Sequence, residues 1–222
     1  MVKEMILLSS ILAALSVPFL IQVALKMLEK NYDLQLVTRK GIIVSRSVVL
    51  VSILTVLMIV LFVNLKWTSY ELIRIILQIL LLWGMAVLTV TDYKKQVIPN
   101  HFLLVMLAIW ILVVCAGLIL DFSTGLFLVA QSMLGAVVGA AIFGICYLLS
   151  KKQLGAGDVK LAFVIGLYMM PDCSICAYLI GSVLCCLYSI LQVFRKKLGW
   201  RDSIPMVPFL TLGVWSALFL IQ

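Results

Sequence analysis

The chain has 222 residues, 65% of them hydrophobic and 12% charged, with a mean hydropathy of +1.25. A soluble domain is about half apolar and a quarter charged, and no polar stretch here is long enough to surround a soluble core, so composition excludes a soluble domain and implies a single membrane domain over residues 1–222. The net charge of +8 is dispersed over short loops instead of being gathered with aromatics on one module, which argues against a nucleic-acid binder.

Taken in chain order, Lys3 precedes an apolar run from Met5 to Leu25. At 1.5 Å per residue that run can cross about 30 Å of hydrocarbon, and no small-residue cleavage site closes it, so it reads as a retained helix kinked at Pro18 and not as a signal peptide. Apolar windows and their breaks predict eight crossings in all, near 5–26, 48–65, 70–91, 101–120, 126–149, 159–170, 173–194 and 206–221. The expected fold is therefore all-α and polytopic, with a short sixth crossing and a basic loop at about 27–47.

Fourteen of the seventeen Lys and Arg residues fall after the first, third, fifth and seventh crossings. Lys3, Lys66 and Arg74 are left for the other side. By the positive-inside rule the first face is cytoplasmic and both termini lie outside; the +8 charge is then mainly a topology signal beside anionic lipid.

The six cysteines, Cys115, Cys146, Cys173, Cys176, Cys185 and Cys186, lie almost wholly in apolar runs, where a thiol behaves as a small hydrophobe. Cys173 and Cys176 form one CxxC pair, but a zinc site needs four ligands and the sole histidine, His101, is distant in sequence. Neither a metal nor another cofactor is expected.

Glu4, Glu71, Asp121 and Asp172 read as solvated turn residues on the outer side, and Glu29, Asp33 and Asp202 as solvated charges in the basic loops. Asp92 and Asp158 differ. Asp92 closes the apolar run "LLLWGMAVLTVTD" at a helix C-terminus, where the macrodipole opposes a negative charge by about 0.3–1 kcal/mol, so capping does not explain it. Asp158 stands just before "VKLAFVIGLYMM", behind Gly155 and Gly157; a plain helix N-cap is an alternative reading of it, and a simple turn an alternative reading of the glycines.

Two crossings separate Asp92 from Asp158, and an even number returns the chain to the same face. Both carboxyls are thus expected at cytoplasmic helix ends at similar depth; whether their helices are neighbours is not readable from spacing. Two carboxyls a few Å apart cannot both ionise easily and hold one proton between them. One can then take a proton from water while the other polarises a peptide carbonyl. The glycines remove Cβ atoms beside Asp158 and permit backbone angles and approaches other residues resist.

The stretch "GAGDVK" resembles the GxGD motif of the prepilin peptidases, intramembrane aspartic proteases, and "DYKKQVIPN" resembles that family's first aspartate motif. Near the C-terminus "IPMVPFLTLG" is similar to a third family segment, matched by Pro205, Pro208 and Gly213. The resemblance covers the chain from about residue 70 to 222. It implies a GxGD protease-like fold with Asp92 and Asp158 as the catalytic pair, with Gly155 and Gly157 shaping the approach to Asp158. Lys160, Pro99 and Asn100 are implied as supporting residues, the last two setting the start of the fourth crossing.

The resemblance further implies a multi-pass protein of the bacterial inner membrane. It would cut the basic leader of a type IV prepilin or pseudopilin at the cytoplasmic face. Basic loops would repel such a leader unless the acids or lipid intervene. Larger members carry a cytoplasmic domain after the first helix, with two zinc-binding CxxC pairs, associated with N-methylation of the product; here the corresponding loop "EKNYDLQLVTRKGIIVSRS" has no cysteine, which puts methylation in doubt. Two other readings stand beside this one: a GxGD protease for other membrane peptides, and a small transporter or assembly scaffold whose acids bind a cation or partner.

Overall fold

The structure, a computed structural model, describes residues 46–66, 72–150, 155–195 and 204–220. The first expected crossing and most of the basic loop residues lie outside these. Among the described residues the secondary structure is entirely helical: α1 (Arg46–Lys66), α2 (Leu72–Lys95), α3 (Asn100–Leu120), α4 (Phe122–Leu149), α5 (Ala156–Phe194) and α6 (Val207–Leu220). Four of them, α2 to α5, are long and apolar enough to cross a membrane. The 14 residues of α6 reach only about 21 Å, short of a full hydrocarbon core.

The sixth and seventh expected crossings form one element, α5, broken at Met170 (φ 63°, ψ 172°). Pro171 disfavours the helical region for the residue before it and carries no N–H for the ladder. The break is a reversal: Tyr178 Oη donates to the Ala162 carbonyl at 2.6 Å across sixteen residues, a separation of about 24 Å in a continuous helix. The first half of α5 is tied to α3 as well, with Trp110 Nε1 donating to the Leu167 carbonyl at 3.1 Å and Tyr168 Oη to the Met106 carbonyl at 2.6 Å. Leu167 O belongs to the last turn before the break, whose carbonyls have no helical partner.

Helix α2 is the centre of the bundle. Its spanning window is 61% buried, against 22–33% for α3, α4 and α5, and Leu77, Leu81, Met85, Ala86, Val87 and Leu88 have lost essentially all exposure. Around it the helices close on small residues. A Cβ at Gly166 would overlap the carbonyl of Gly135, bringing α5 against α4, and one at Gly213 would overlap the Ala177 carbonyl, where α6 crosses the second half of α5.

Gly166→Ala is therefore expected to destabilise the fold by about 1–3 kcal/mol or more through overpacking, read as a lower melting midpoint in detergent. Gly144→Ala in α4, whose added Cβ would meet nothing within 4 Å, should leave the midpoint unchanged or raise it slightly.

Helix α4 begins earlier than the apolar window indicates because Asp121 is its N-cap and not a free turn residue. Its Oδ1 accepts from the Ser123 N–H at 3.1 Å and the Ser123 hydroxyl at 2.9 Å, and Thr124 Oγ1 donates to Oδ2. The Thr124 and Ser123 hydroxyls hold this carboxyl below the usual carboxylate range.

Candidate active site

The site is built where the end of α2 meets the beginnings of α3, α5 and α6. Helix α2 closes on Gln96, a non-glycine residue in the left-handed region (φ 53°). Its N–H donates to the Asp92 carbonyl at 2.8 Å, the single-bond closure of a helix end. The chain then passes through Ile98 to Pro99, buried and immediately before α3 (φ −70°, ψ 119°), and Asn100 is the first residue of that helix.

Asp92 lies one turn from the end of α2 and is only 5% exposed. Its Oδ2 accepts from the Val207 N–H at 2.9 Å, and the Met206 N–H donates to the same carboxyl. These are orphan donors at the start of α6. The sequence reading found no capping role for Asp92 in its own helix; the structure gives it one for a helix 115 residues further on. Nearby, Thr89 and Thr211 hydroxyls share a hydrogen bond of 2.7 Å, fastening the same two helices one turn deeper.

Asp158 sits in the first turn of α5, with Gly155 at the N-cap position. The N-cap reading of Asp158 is thus corrected by three residues, to the position from which an acid reaches back to the cap residue. Its N–H donates to the Gly155 carbonyl at 3.0 Å, and its carboxyl accepts from the Gly155 N–H. A carboxylate in the first turn also faces the favourable end of the dipole.

Of the two roles expected of the glycines, the structure shows the close approach and not the unusual backbone angles. Among the described residues no glycine has a positive φ, and Gly155 is extended at φ −68°, ψ 135°. What Gly155 provides is room: a Cβ there would lie 3.0 Å from Asp158 Oδ2. Gly157 faces elsewhere, its missing Cβ leaving space for Ile98, 3.2 Å from where that atom would be. The Ile-Pro-Asn turn and the Gly-Asp turn are thereby packed together.

A second bond joins the same turns. Lys160 Nζ donates to Asn100 Oδ1 at 3.0 Å. Helices α2 and α5 are in contact, which spacing alone could not establish, and the carboxyls of Asp92 and Asp158 are close enough for the charge of one to act on the other. The second half of α5 carries Cys185 back towards this end of the bundle. Sequence reasoning missed Cys185 and the Met206 and Val207 amides. The cysteine is one apolar residue among many, and an amide carries no signal in a side-chain pattern.

Cys173 and Cys176 follow directly on the break at Met170. With about 18 Å of helix between Asp158 and Met170, they lie at the other end of the hairpin from the two acids.

Comparison with known proteins gives the family. Residues 79–190 match the model of the type IV leader peptidase family, a stretch that contains both acids, both glycines and Cys185. Prepilin leader peptidase/N-methyltransferases are similar to the chain: that of Stutzerimonas stutzeri is 30% identical over 150 residues, covering 63% of this chain and 48% of the relative. The protein of that name from Aeromonas salmonicida (strain A449) is 25% identical over 145 residues (63% and 47%), and that from Pseudomonas aeruginosa 26% over 149 (63% and 48%). The chain spans about half the length of the curated relatives it matches. No solved structure matches it. On the family match, which takes in half of the sequence and both turns of the site, this helical, multi-pass membrane chain belongs to the type IV leader peptidase family.

Proposed function

We propose that the protein is a membrane-embedded aspartic endopeptidase that removes the basic leader from type IV prepilins or prepilin-like precursors, with Asp92 and Asp158 as its catalytic pair. The observation that carries this reading is that two acids far apart in sequence come within electrostatic reach at one end of the bundle, inside the family match.

The pair shares one proton. The ionised member takes a proton from water as the water oxygen bonds to the scissile carbonyl carbon, while the protonated member donates to the carbonyl oxygen. Collapse of the tetrahedral intermediate breaks the C–N bond, and a proton passes to the leaving nitrogen. The bond from the Val207 amide to Asp92 Oδ2 fixes the orientation of that carboxyl. Gly155, Gly157, Lys160, Pro99 and Asn100 are positioning residues that join the two turns.

In this reading the chain makes eight crossings of the bacterial inner membrane with both termini outside, and the pair faces the cytoplasm. The basic loop at about 27–47, without cysteine, does not methylate the product. The partners are the precursor and membrane lipid.

Purified protein in proteoliposomes, mixed with a prepilin-type precursor, is expected to release the leader; an uncut precursor under conditions where a known leader peptidase cuts it would count against the proposal. Gly155→Ala, by turning the Asp158 carboxyl aside, should lower the cleavage rate about ten- to a hundredfold with little change in melting midpoint.

A further inference from the structure

A cavity of about 440 Å³ lies between α3, α4 and the first half of α5. Leu103, Leu107, Ala140 and Phe163 line it, and Asn100 and Lys160 stand at its polar end. It is distinct from the site of the two acids. Lys160 follows Asp158 by two residues, about 200° around a helix of 3.6 residues per turn, so the cavity opens on the face of α5 turned away from the pair.

The chemistry of the polar end is one-sided. Lys160 Nζ donates to Asn100 Oδ1, which engages the amide's acceptor atom and leaves its NH₂ group as a donor. A lysine ammonium has no acceptor, and the carboxamide nitrogen has none either. The remaining side-chain polar capacity is therefore mostly donors, beside a positive charge. The rest of the wall is hydrocarbon. A helical segment, about 10–12 Å across, would take up this volume in roughly one turn, whereas an acyl chain is slimmer and wholly apolar.

We infer that this cavity binds an anionic phospholipid, with one acyl chain against Leu107, Ala140 and Phe163 and the phosphodiester oxygens accepting from Lys160 and Asn100. The match is one of charge and chemistry: a donor-rich, cationic end adjoins an apolar cavity on a protein built of membrane-crossing helices. The basic leader of a precursor would meet Lys160 as a like charge, which disfavours it as the occupant. This inference does not rest on the peptidase reading.

Native mass spectrometry of the full chain, delipidated and then given equal amounts of phosphatidylglycerol and phosphatidylcholine with identical chains, tests it. The wild type is expected to retain one phosphatidylglycerol with about tenfold preference: both lipids offer the phosphodiester, but the choline ammonium of phosphatidylcholine puts a like charge beside Lys160, and tenfold corresponds to about 1.4 kcal/mol. Lys160→Gln should bring the ratio close to one. Ala140→Trp, which fills the cavity, should lower retention of both lipids. Leu104→Gln, at an exposed lining position that cannot disturb the core, should do the same and covers the case in which Ala140→Trp fails to fold. Equal retention of the two lipids by the wild type, or an unchanged ratio in Lys160→Gln, overturns the inference. So does loss of the bound lipid to inorganic phosphate alone, or to the hydrophobic segment of a precursor at equimolar ratio.

Discussion

Asp158→Asn and Asp92→Asn are each expected to lower precursor cleavage by at least about a thousandfold while leaving the protein inserted and folded. Proton transfer by a positioned side chain is worth about 10²–10⁴ in rate, and an amide can neither take the proton from water nor share one with its neighbour. The structural cost is small by comparison. In Asp92→Asn the side-chain oxygen still accepts from the Val207 amide, and in Asp158→Asn it can still accept from Gly155. Single-turnover cleavage in proteoliposomes, with melting midpoints measured on the same preparations, separates loss of chemistry from loss of fold. Asp121→Asn is the matched control: Asp121 caps α4 away from the pair, asparagine caps about as well, and cleavage should be unchanged. Full activity in either active-site variant would remove the pair from the mechanism.

Val207→Pro is expected to lower the catalytic rate about ten- to a hundredfold with little change in stability, and Val207→Ala to do the reverse. The Val207 N–H belongs to the first residue of α6, where it has no helical acceptor and where proline is well tolerated. Met206, before it, is outside the helix, as a residue preceding proline prefers. Proline at 207 thus removes a donor to Asp92 Oδ2 and no helical bond. A hydrogen bond to a charged group is worth about 1.5–3 kcal/mol, which sets the expected factor. Alanine keeps the N–H but gives up a fully buried side chain, so it should lower the melting midpoint and spare the rate. If both variants lost only stability, Met206 and Val207 would serve the packing of α6 alone and not the orientation of Asp92.

The two acids were legible in the sequence because a charge at the end of an apolar run is costly and conspicuous, and because counting crossings between them is a parity argument that needs no contact information. The reversal inside α5 was legible as a boundary, through Met170-Pro171, although hydropathy set the start of its first half three residues late. Ala156, Gly157 and Asp158 form a helical turn that contributes little apolar character, and an apolar window does not register such a turn. The cap on Asp92 was not legible. It depends on α6 arriving at the end of α2, a contact between residues 115 positions apart, and its donors are amides that every residue but proline possesses. The bond from Lys160 to Asn100 was hidden for the same reason: each residue was visible as part of a motif, but only the packing of Gly157 against Ile98 brings the motifs together. Of the two reasons the sequence offered for the glycines, unusual backbone angles and the room left by a missing Cβ, the structure shows the second.

The most direct test of the central claim is the mass of the products formed when a prepilin-type precursor is incubated with the reconstituted wild-type protein and, in parallel, with the Asp92→Asn/Asp158→Asn double variant. The predicted result is two products from the wild type, a basic leader and a chain beginning immediately before the hydrophobic segment with no added methyl group, and intact precursor from the variant. Identical spectra from the two proteins would contradict the assignment of Asp92 and Asp158 as the groups that activate water.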